Sequence, residues 1–488
     1  MSRIRSTLVW IALNAGLVNA QTPFSADQGF VPDLDASAED VRSCYELPDG
    51  RMIISHSNTS GLTPFQSRIL RLLQDGNVDN SFPVIMNEYE ILPFDQDHFY
   101  TRSGGSGSVI RRRSTLDGSL DTTFTFNPDP WQTGEVMAIG EVEVLSDGKL
   151  LISGWIELSD TANNWVGEYD LVRINWSGGL DTTFAPRKAN GFLQDLHIMP
   201  DGQHLISGQQ SSYGLSSVTP TFRISPTGIL DNSFNVDHIY LGKGPFNIIQ
   251  QPDGKYLVAG RLFYYINLLD IDTLEVVRWN EDGSLDSTFN NWNHFGLSGY
   301  SSGHDIEILG DGRLLVTGNF EDVNNEPRGG VAMLDANGNL LPDPFEEGGC
   351  GPDGMQTYAR LYVAQSGTRY LYGSFSGFTD DTGSHQIDHL VKLNATDVSV
   401  PEHRAPLLEV YPVPFQDHIL IRVEGFNKPH SGRALIFDAT GRRVLEVNVI
   451  LDQHETRINL SDLSPGSYTI VVQCEEAIAL SKSITKIP

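Results

Sequence analysis

Residues 173–186 read RINWSGGLDTTFAP, and residues 27–32 read DQGFVP. The first is a strand, a tight turn and a tail that ends on Phe184. The second is the tail alone, with Phe30 in the place of Phe184 and Val31-Pro32 following it as Ala185-Pro186 follow Phe184. Outward from 173–186 the pattern returns as RLLQDGNVDNSF at 71–82, RSTLDGSLDTTF at 113–124, RISPTGILDNSF at 223–234 and RWNEDGSLDSTF at 278–289. A divergent copy is MLDANGNLLPDPF at 333–345, and a last opening strand, LVKLNATD at 390–397, has no Phe after it. A repeat without its tail at one end and a tail without its repeat at the other are one unit split in two. A blade completed by both chain ends closes a propeller ring.

The other half of each repeat agrees. LPDGRMIIS at 47–55, LSDGKLLISG at 145–154, MPDGQHLISG at 199–208, QPDGKYLVAG at 251–260 and LGDGRLLVTG at 309–318 are apolar strands around a DG turn. QSGTRYLYG at 365–373 and DQDHFYTRSG at 95–104 are weaker copies. Asp bonds its own backbone and Gly accepts positive φ, which suits a two-strand reversal, and the flanking runs have strand length. The count is seven repeats over 21–396. Five copies place Arg five residues before the second turn's Gly and Asp three after it: Arg71/Asp79, Arg113/Asp121, Arg173/Asp181, Arg223/Asp231 and Arg278/Asp286. Across a hairpin these positions face one another, which predicts a repeated ion pair, with turn capping by the Asp as the alternative. The sixth copy has Met333 and Leu341 instead, and the seventh has Lys392, whose partner would be Asp27.

Composition narrows the class. The 488 residues are too many for one core, and 47 glycines with 19% charged residues favour an all-β chain with many turns. The formal net charge is -29; eight basic and ten acidic residues lie beyond 407, so nearly all of it belongs to the repeats. Such a surface repels phosphate backbones and anionic lipid, which argues against nucleic acid as a partner. Arg3 and Arg5, the apolar run Leu8 to Val18 and Val18-Asn19-Ala20 read as a signal peptide over 1–20, with Gln21 the expected new N-terminus. No later transmembrane stretch is expected. Cys44, Cys350 and Cys474 make no disulfide framework; Cys44 and Cys350 become neighbours if the ring closes, and could then form a clasp.

In combination, the D-G-K-x-L-x-x-G…R-L-N-x-D-G-S-L-D-x-x-F pattern resembles the delta-60 repeat of exported and surface bacterial proteins, over about 24–397. The resemblance implies architecture and no particular reaction. After a linker at 397–406, residues 407–488 alternate as strands of a small Ig-like sandwich. Tyr411-Pro412…Pro414, the run from Asp438 through Gly441 to Val444, Leu463…Gly466-x-Tyr468, and Lys482…Lys486 follow one another there. In that order they closely resemble the type A C-terminal sorting domain of the Bacteroidota type IX secretion system, with Val413 where the family has Asn. The resemblance implies that these residues carry the sorting signal, that the secretion machinery is a partner, and that the protein is secreted or held at the cell surface.

Chemistry is sparse in the linear sequence. No G-x-S-x-G, H-E-x-x-H or P-loop occurs, and no catalytic residue, cofactor or metal site is predicted. Asp380-Asp381…His385…Asp388-His389 has metal-ligand residue types but no recognised spacing and reads as a solvated loop; Asp270 with Asp272, and Asp322 with Asn324 and Asn325, are weak calcium candidates. Arg111-Arg112-Arg113 reads as part of a strand. The loops after each strand Gly hold Trp165, Tyr169, Tyr213, Tyr264, Tyr265 and Phe378, candidate binding aromatics for a glycan or a surface protein. Trp155, Phe263, Phe320 and Phe375 come just after the Gly, one to three residues on, and are assigned to the core as part of the repeat. Two functions are weighed: a non-enzymatic binding propeller, and a polysaccharide-acting enzyme with its site in the central channel. Convergent channel carboxylates would favour the second.

Overall fold

The computed structural model describes residues 24–34, 38–58, 66–103, 109–127, 138–236, 239–267, 270–296, 301–343, 345, 348–351, 358–394, 407–411, 415–424, 430–438, 443–451, 456–474 and 479–486. The expected signal peptide, the linker and sorting-motif residues Pro412, Pro414 and Gly441 lie outside them. The described residues are all-β, in two compact units, Met1–Asp397 and Val398–Pro488.

In the first unit, seven main sheets of three or four antiparallel strands follow one another among the described residues, with three small satellite sheets beside the fourth, sixth and seventh. Each opens on an inner strand: Ala38–Glu46, Glu90–Pro93, Ala138–Val144, Leu193–Ile198, Ile239–Gln250, Ser302–Ile308 and Tyr358–Val363. Neighbouring inner strands pack together, and the first packs on Arg369–Ser374 of the seventh sheet, so the sheets are blades of a closed ring. Val41, Cys44 and Ile54 share one core there with Tyr370, Tyr372 and Leu390. Both cysteines are buried free thiols in different cores, Cys44 in this one and Cys350 among Val331, Phe345 and Phe378. The clasp that ring closure would permit is not formed, and the two thiols stay free.

The repeated Arg and Asp lock each blade to the next. Arg173 Nε lies 2.7 Å from Asp181 Oδ2, and its guanidinium carbon is 5.0 Å from the centre of the Phe184 ring. A further nitrogen donates to the Pro226 carbonyl of the following blade at 2.7 Å. Arg71, Arg223 and Arg278 repeat this with Thr115, Glu281 and Ala336. Asp181 serves both expected roles, because its other oxygen takes the Thr183 amide and hydroxyl and so caps the turn. Burial pushes Asp181 up, but the Thr183 hydrogen bonds and Arg173 outweigh it and hold the group at about 2.

Two copies differ from the sequence reading. In the second, Asp121 pairs with Arg112 at 2.7 Å, and Arg113 turns to Glu88. The cause is one extra turn residue: Gly118 bonds back to Ser114, four positions earlier, where Gly76 bonds to Leu73, three earlier. That slip reverses which arginine faces the Asp. In the sixth copy Met333 and Leu341 do stand at the repeat positions, yet an ion pair persists, from Arg328 to Asp343 at 3.1 Å, with both side chains buried. The Met333 amide donates to the same carboxylate.

Closure follows the same chemistry. Asp27 N bonds Lys392 O at 2.8 Å, Asn394 N bonds Ser25 O at 2.7 Å, and Lys392 Nζ lies 3.0 Å from Asp27 Oδ2. Phe30 is buried like Phe82, Phe124, Phe184, Phe234, Phe289 and Phe345, and meets Tyr370 edge-on at 5.7 Å. Its tail then docks on the first blade, Val31 N to Asp75 O and Asp33 N to Gly76 O, as Thr125 and Asn127 dock on Ser177 and Gly178. Gly76 and Gly178 have φ of 91° and 99°, and a Cβ on either would collide with the docked carbonyl, of Val31 or of Thr125. Asp380 in the seventh repeat is buried, not solvated: it takes the Ala26 amide and sits 3.1 Å from His385, whose other nitrogen meets Gln28.

The second unit is a sandwich of a three-stranded sheet (Leu407–Tyr411, His418–Glu424, Thr456–Asn459) and a four-stranded sheet (Arg443–Leu451, His430–Asp438, Gly466–Cys474, Ala479–Lys486). Phe415, Ile419, Ile436, Ile470 and Ile484 share its core. Lys486 is buried and donates to the carbonyls of Leu460 and Ser461, and Tyr468 Oη donates to Ser464 O at 2.6 Å. Lys482 is exposed, and Asp438 pairs in register with Tyr468.

Candidate functional site

Most of the predicted binding aromatics are packing residues. Tyr169, Tyr213 and Phe378 are 8%, 4% and 1% exposed. Tyr213 Oη is tied to the Gly228 carbonyl, and burial raises its phenol well above the usual range. Trp165 is half-buried, and Tyr264, also half-buried, meets Trp292 edge-on at 5.3 Å. Tyr265 lies in the strand Tyr256–Asn267. Loop position alone did not imply exposure, because in the fourth, sixth and seventh copies the loop folds into a small hairpin of its own.

Trp155, assigned to the core by position, is 42% exposed. Phe320 and Phe375, each two residues after the Gly in the sixth and seventh copies, are fully buried, as expected, and so is Ile156 at that place in the third. Trp155 stands one residue after Gly154, and along the strand Leu150–Asp160 the two-residue alternation buries Ile156 and Leu158 and carries Trp155 outward. The long hairpin it forms with Trp165–Ile174 also projects Glu168 and Asp170.

These residues line a cleft of about 490 Å³ between the third and fourth blades, with Ala138, Ile139 and Gly140 as its floor. Phe192, 74% exposed, stands on the fourth-blade side. The chain at 187–189 runs along Asp170-Leu171: Arg187 exchanges backbone hydrogen bonds with Leu171, and the Ala189 amide donates to Asp170 Oδ2 at 2.6 Å. That ladder holds Lys188 in the cleft, its ammonium 5.0 Å from the centre of the Tyr169 ring. Asp170 is raised above the ordinary carboxylate range, first by burial and then, against the Ala189 hydrogen bond, by its neighbour Glu168.

The channel is the second candidate. Glu90, Glu141, Glu143 and Asp195 stand on the inner strands of the second, third and fourth blades. Confinement pushes Glu143 to about 8 and Asp195 to about 7; it raises Glu141 as well, with Glu90 adding to the effect. The charge of Arg360, on the inner strand of the seventh blade, favours the ionised forms of Glu90 and Asp195 across the ring. Much of this charge is compensated: Arg102 Nε lies 2.7 Å from Glu90, and Arg360 lies 3.4 Å from Asp305. A larger cavity of about 730 Å³ opens at the other end of the same strands, beside Glu143, His197 and His204. Burial holds both histidines neutral, at about 4. No group of three or more metal-ligating side chains occurs among the described residues; Asp322 Oδ1 takes the Asn325 amide in a tight turn instead.

Comparison with known proteins agrees with both units. The secretion system C-terminal sorting domain matches residues 409–486. The domain of unknown function (DUF5122) beta-propeller matches 47–82, 145–184, 251–289 and 309–340. No curated protein matches the chain. Among solved structures, a protein of unknown function from Bacteroides caccae has TM-score 0.31 and 14% identity, over 56% of this chain and 88% of that one. The WD40 beta propeller domain of Doa1 has TM-score 0.31 and 13% identity, over 65% and 97%. The dihydro-heme d1 dehydrogenase NirN has TM-score 0.34 and 11% identity, over 88% and 77%. Likeness this loose fixes neither ligand nor activity. No described helix is long and apolar enough to cross a membrane.

Proposed function

We propose that this chain, a DUF5122 beta-propeller protein that its sorting domain directs through type IX secretion to the cell surface or beyond, is a non-enzymatic binding protein. The cleft between the third and fourth blades carries this reading. Large aromatics are normally withdrawn from water, and Trp155 and Phe192 are both displayed in the lining of one recess that also holds both signs of charge. The test uses the full chain on an immobilised cell-surface extract containing proteins and polysaccharides. Binding is expected to be lost in the double variant Trp155→Ala/Phe192→Ala and kept in Trp176→Ala, whose tryptophan is exposed but outside the cleft. Equal binding by the double variant rejects the reading.

The raised carboxyls of Glu143 and Asp195 support a second reading, acid–base attack on a polysaccharide in the channel, since a proton-holding acid beside ionisable partners is what glycosidic cleavage requires. Release of reducing ends from a polysaccharide panel, abolished by Glu143→Gln, would favour it over the first.

A further inference from the structure

We propose that the cleft between the third and fourth blades recognises an uncharged glycan. The inference rests on the binding reading above and adds the class of ligand. Trp155 and Phe192 offer flat faces from two different blades, suited to the C–H face of a pyranose ring. The polar groups of the same lining are of opposite sign and not paired with each other: Glu168 and Asp170 from one strand, Lys188 from the adjoining segment. An anionic sugar would meet two carboxylates, and a cationic one would meet the ammonium. Hydroxyl groups donate to the carboxylates and accept from the ammonium, so a neutral polyol satisfies all three. Asp170 is already anchored by the Ala189 amide and Lys188 by the Tyr169 ring, so the polar set is held in place before a ligand arrives. At about 490 Å³ the cleft has the size of a small-molecule site, room for a short stretch of chain.

The experiment is calorimetric titration of the full chain with cellotetraose, laminaritetraose, mannotetraose, tetragalacturonate and the chitosan tetramer. At least one of the three neutral tetrasaccharides is expected to bind more tightly than either charged one. Trp155→Ala and Phe192→Ala should each weaken that binding by about tenfold, with Trp176→Ala unchanged and all melting temperatures preserved, because the side chains are exposed. Glu168→Gln should weaken the neutral sugar and improve tetragalacturonate. Tighter binding of a charged probe, no binding of any neutral one, or neutral binding indifferent to both aromatic variants overturns the proposal. If the neutral sugars fail while capture of the cell-surface extract still depends on Trp155 and Phe192, only the glycan assignment falls. If neither depends on them, the binding reading falls with it.

Discussion

The seam inside the third blade and the seam that closes the ring use the same parts with different covering. In the third blade Arg173 and Asp181 are 10% and 7% exposed and lie eight residues apart on one hairpin. At the closure Lys392 and Asp27 are 27% and 20% exposed and come from opposite ends of the propeller. The regular seam fixes its cation with a forked guanidinium, which grips the Asp, covers Phe184 and reaches Pro226 in the next blade. An ammonium has no such fork. What the two seams share is the buried Phe and the docked tail, so apolar burial and backbone pairing do the closing and the ion pair only adds to them.

That difference can be broken experimentally, and the largest effect is common to both seams. Phe184→Ala and Phe30→Ala should each cost about 3–5 kcal/mol in denaturant unfolding, the range for a buried aromatic. A Phe30→Ala protein within about 0.5 kcal/mol of the parent would mean that the closing tail is not part of the core. The ion pairs should then separate the seams. Arg173→Met leaves the buried Asp181 only Lys149, 3.2 Å away, as a cation and should cost about 2–3 kcal/mol, whereas Lys392→Met, at a half-open site, should cost about 0.2–1 kcal/mol. Equal costs would erase the distinction; a cycle with Asp27→Asn measures the coupling directly.

Titration gives the most specific effect. Asp79 and Asp181 are held near 2 against an ordinary 3.8, Asp79 chiefly by Ser81 and then by Arg71, so their folded-state pKa is depressed. Their stabilisation is complete above about 4 and is lost as pH falls towards 2, about 2 kcal/mol for Asp181. Asp181→Asn should flatten that part of the unfolding profile. Glu143 has the opposite sign: its folded pKa, about 8, is raised above the ordinary 4.5, so stability falls as pH climbs from about 4.5 to 8. Glu143→Gln should lessen that decline, to which Asp195 and Glu141 contribute with the same sign. A profile in which neither substitution changes its own limb would contradict both assignments.

The repeats, the missing seventh tail and its recovery at Asp27–Phe30 were legible because strand, turn and Phe are local patterns, and a ring forces every copy into the same packing. The sorting tail was legible for the same reason, through motifs in order along one small domain. The arginine slip in the second copy was not legible, because one extra turn residue leaves the spelling RSTLDGSLD almost unchanged while reversing the side of the sheet that each arginine faces. Nor was the replacement of Met333 and Leu341 by Arg328 and Asp343, which lie outside the repeated positions and meet only when the chain folds back. Sequence by itself determined the ring, its closure and the route of export, since these follow from periodicity and short motifs. Tertiary structure alone decided what the ring displays. Which face of the strand meets the core decides whether an aromatic near the strand Gly is buried like Phe320, two residues on, or presented like Trp155, one residue on, and the recess that Trp155 lines with Phe192 exists only where two blades with different loops stand side by side.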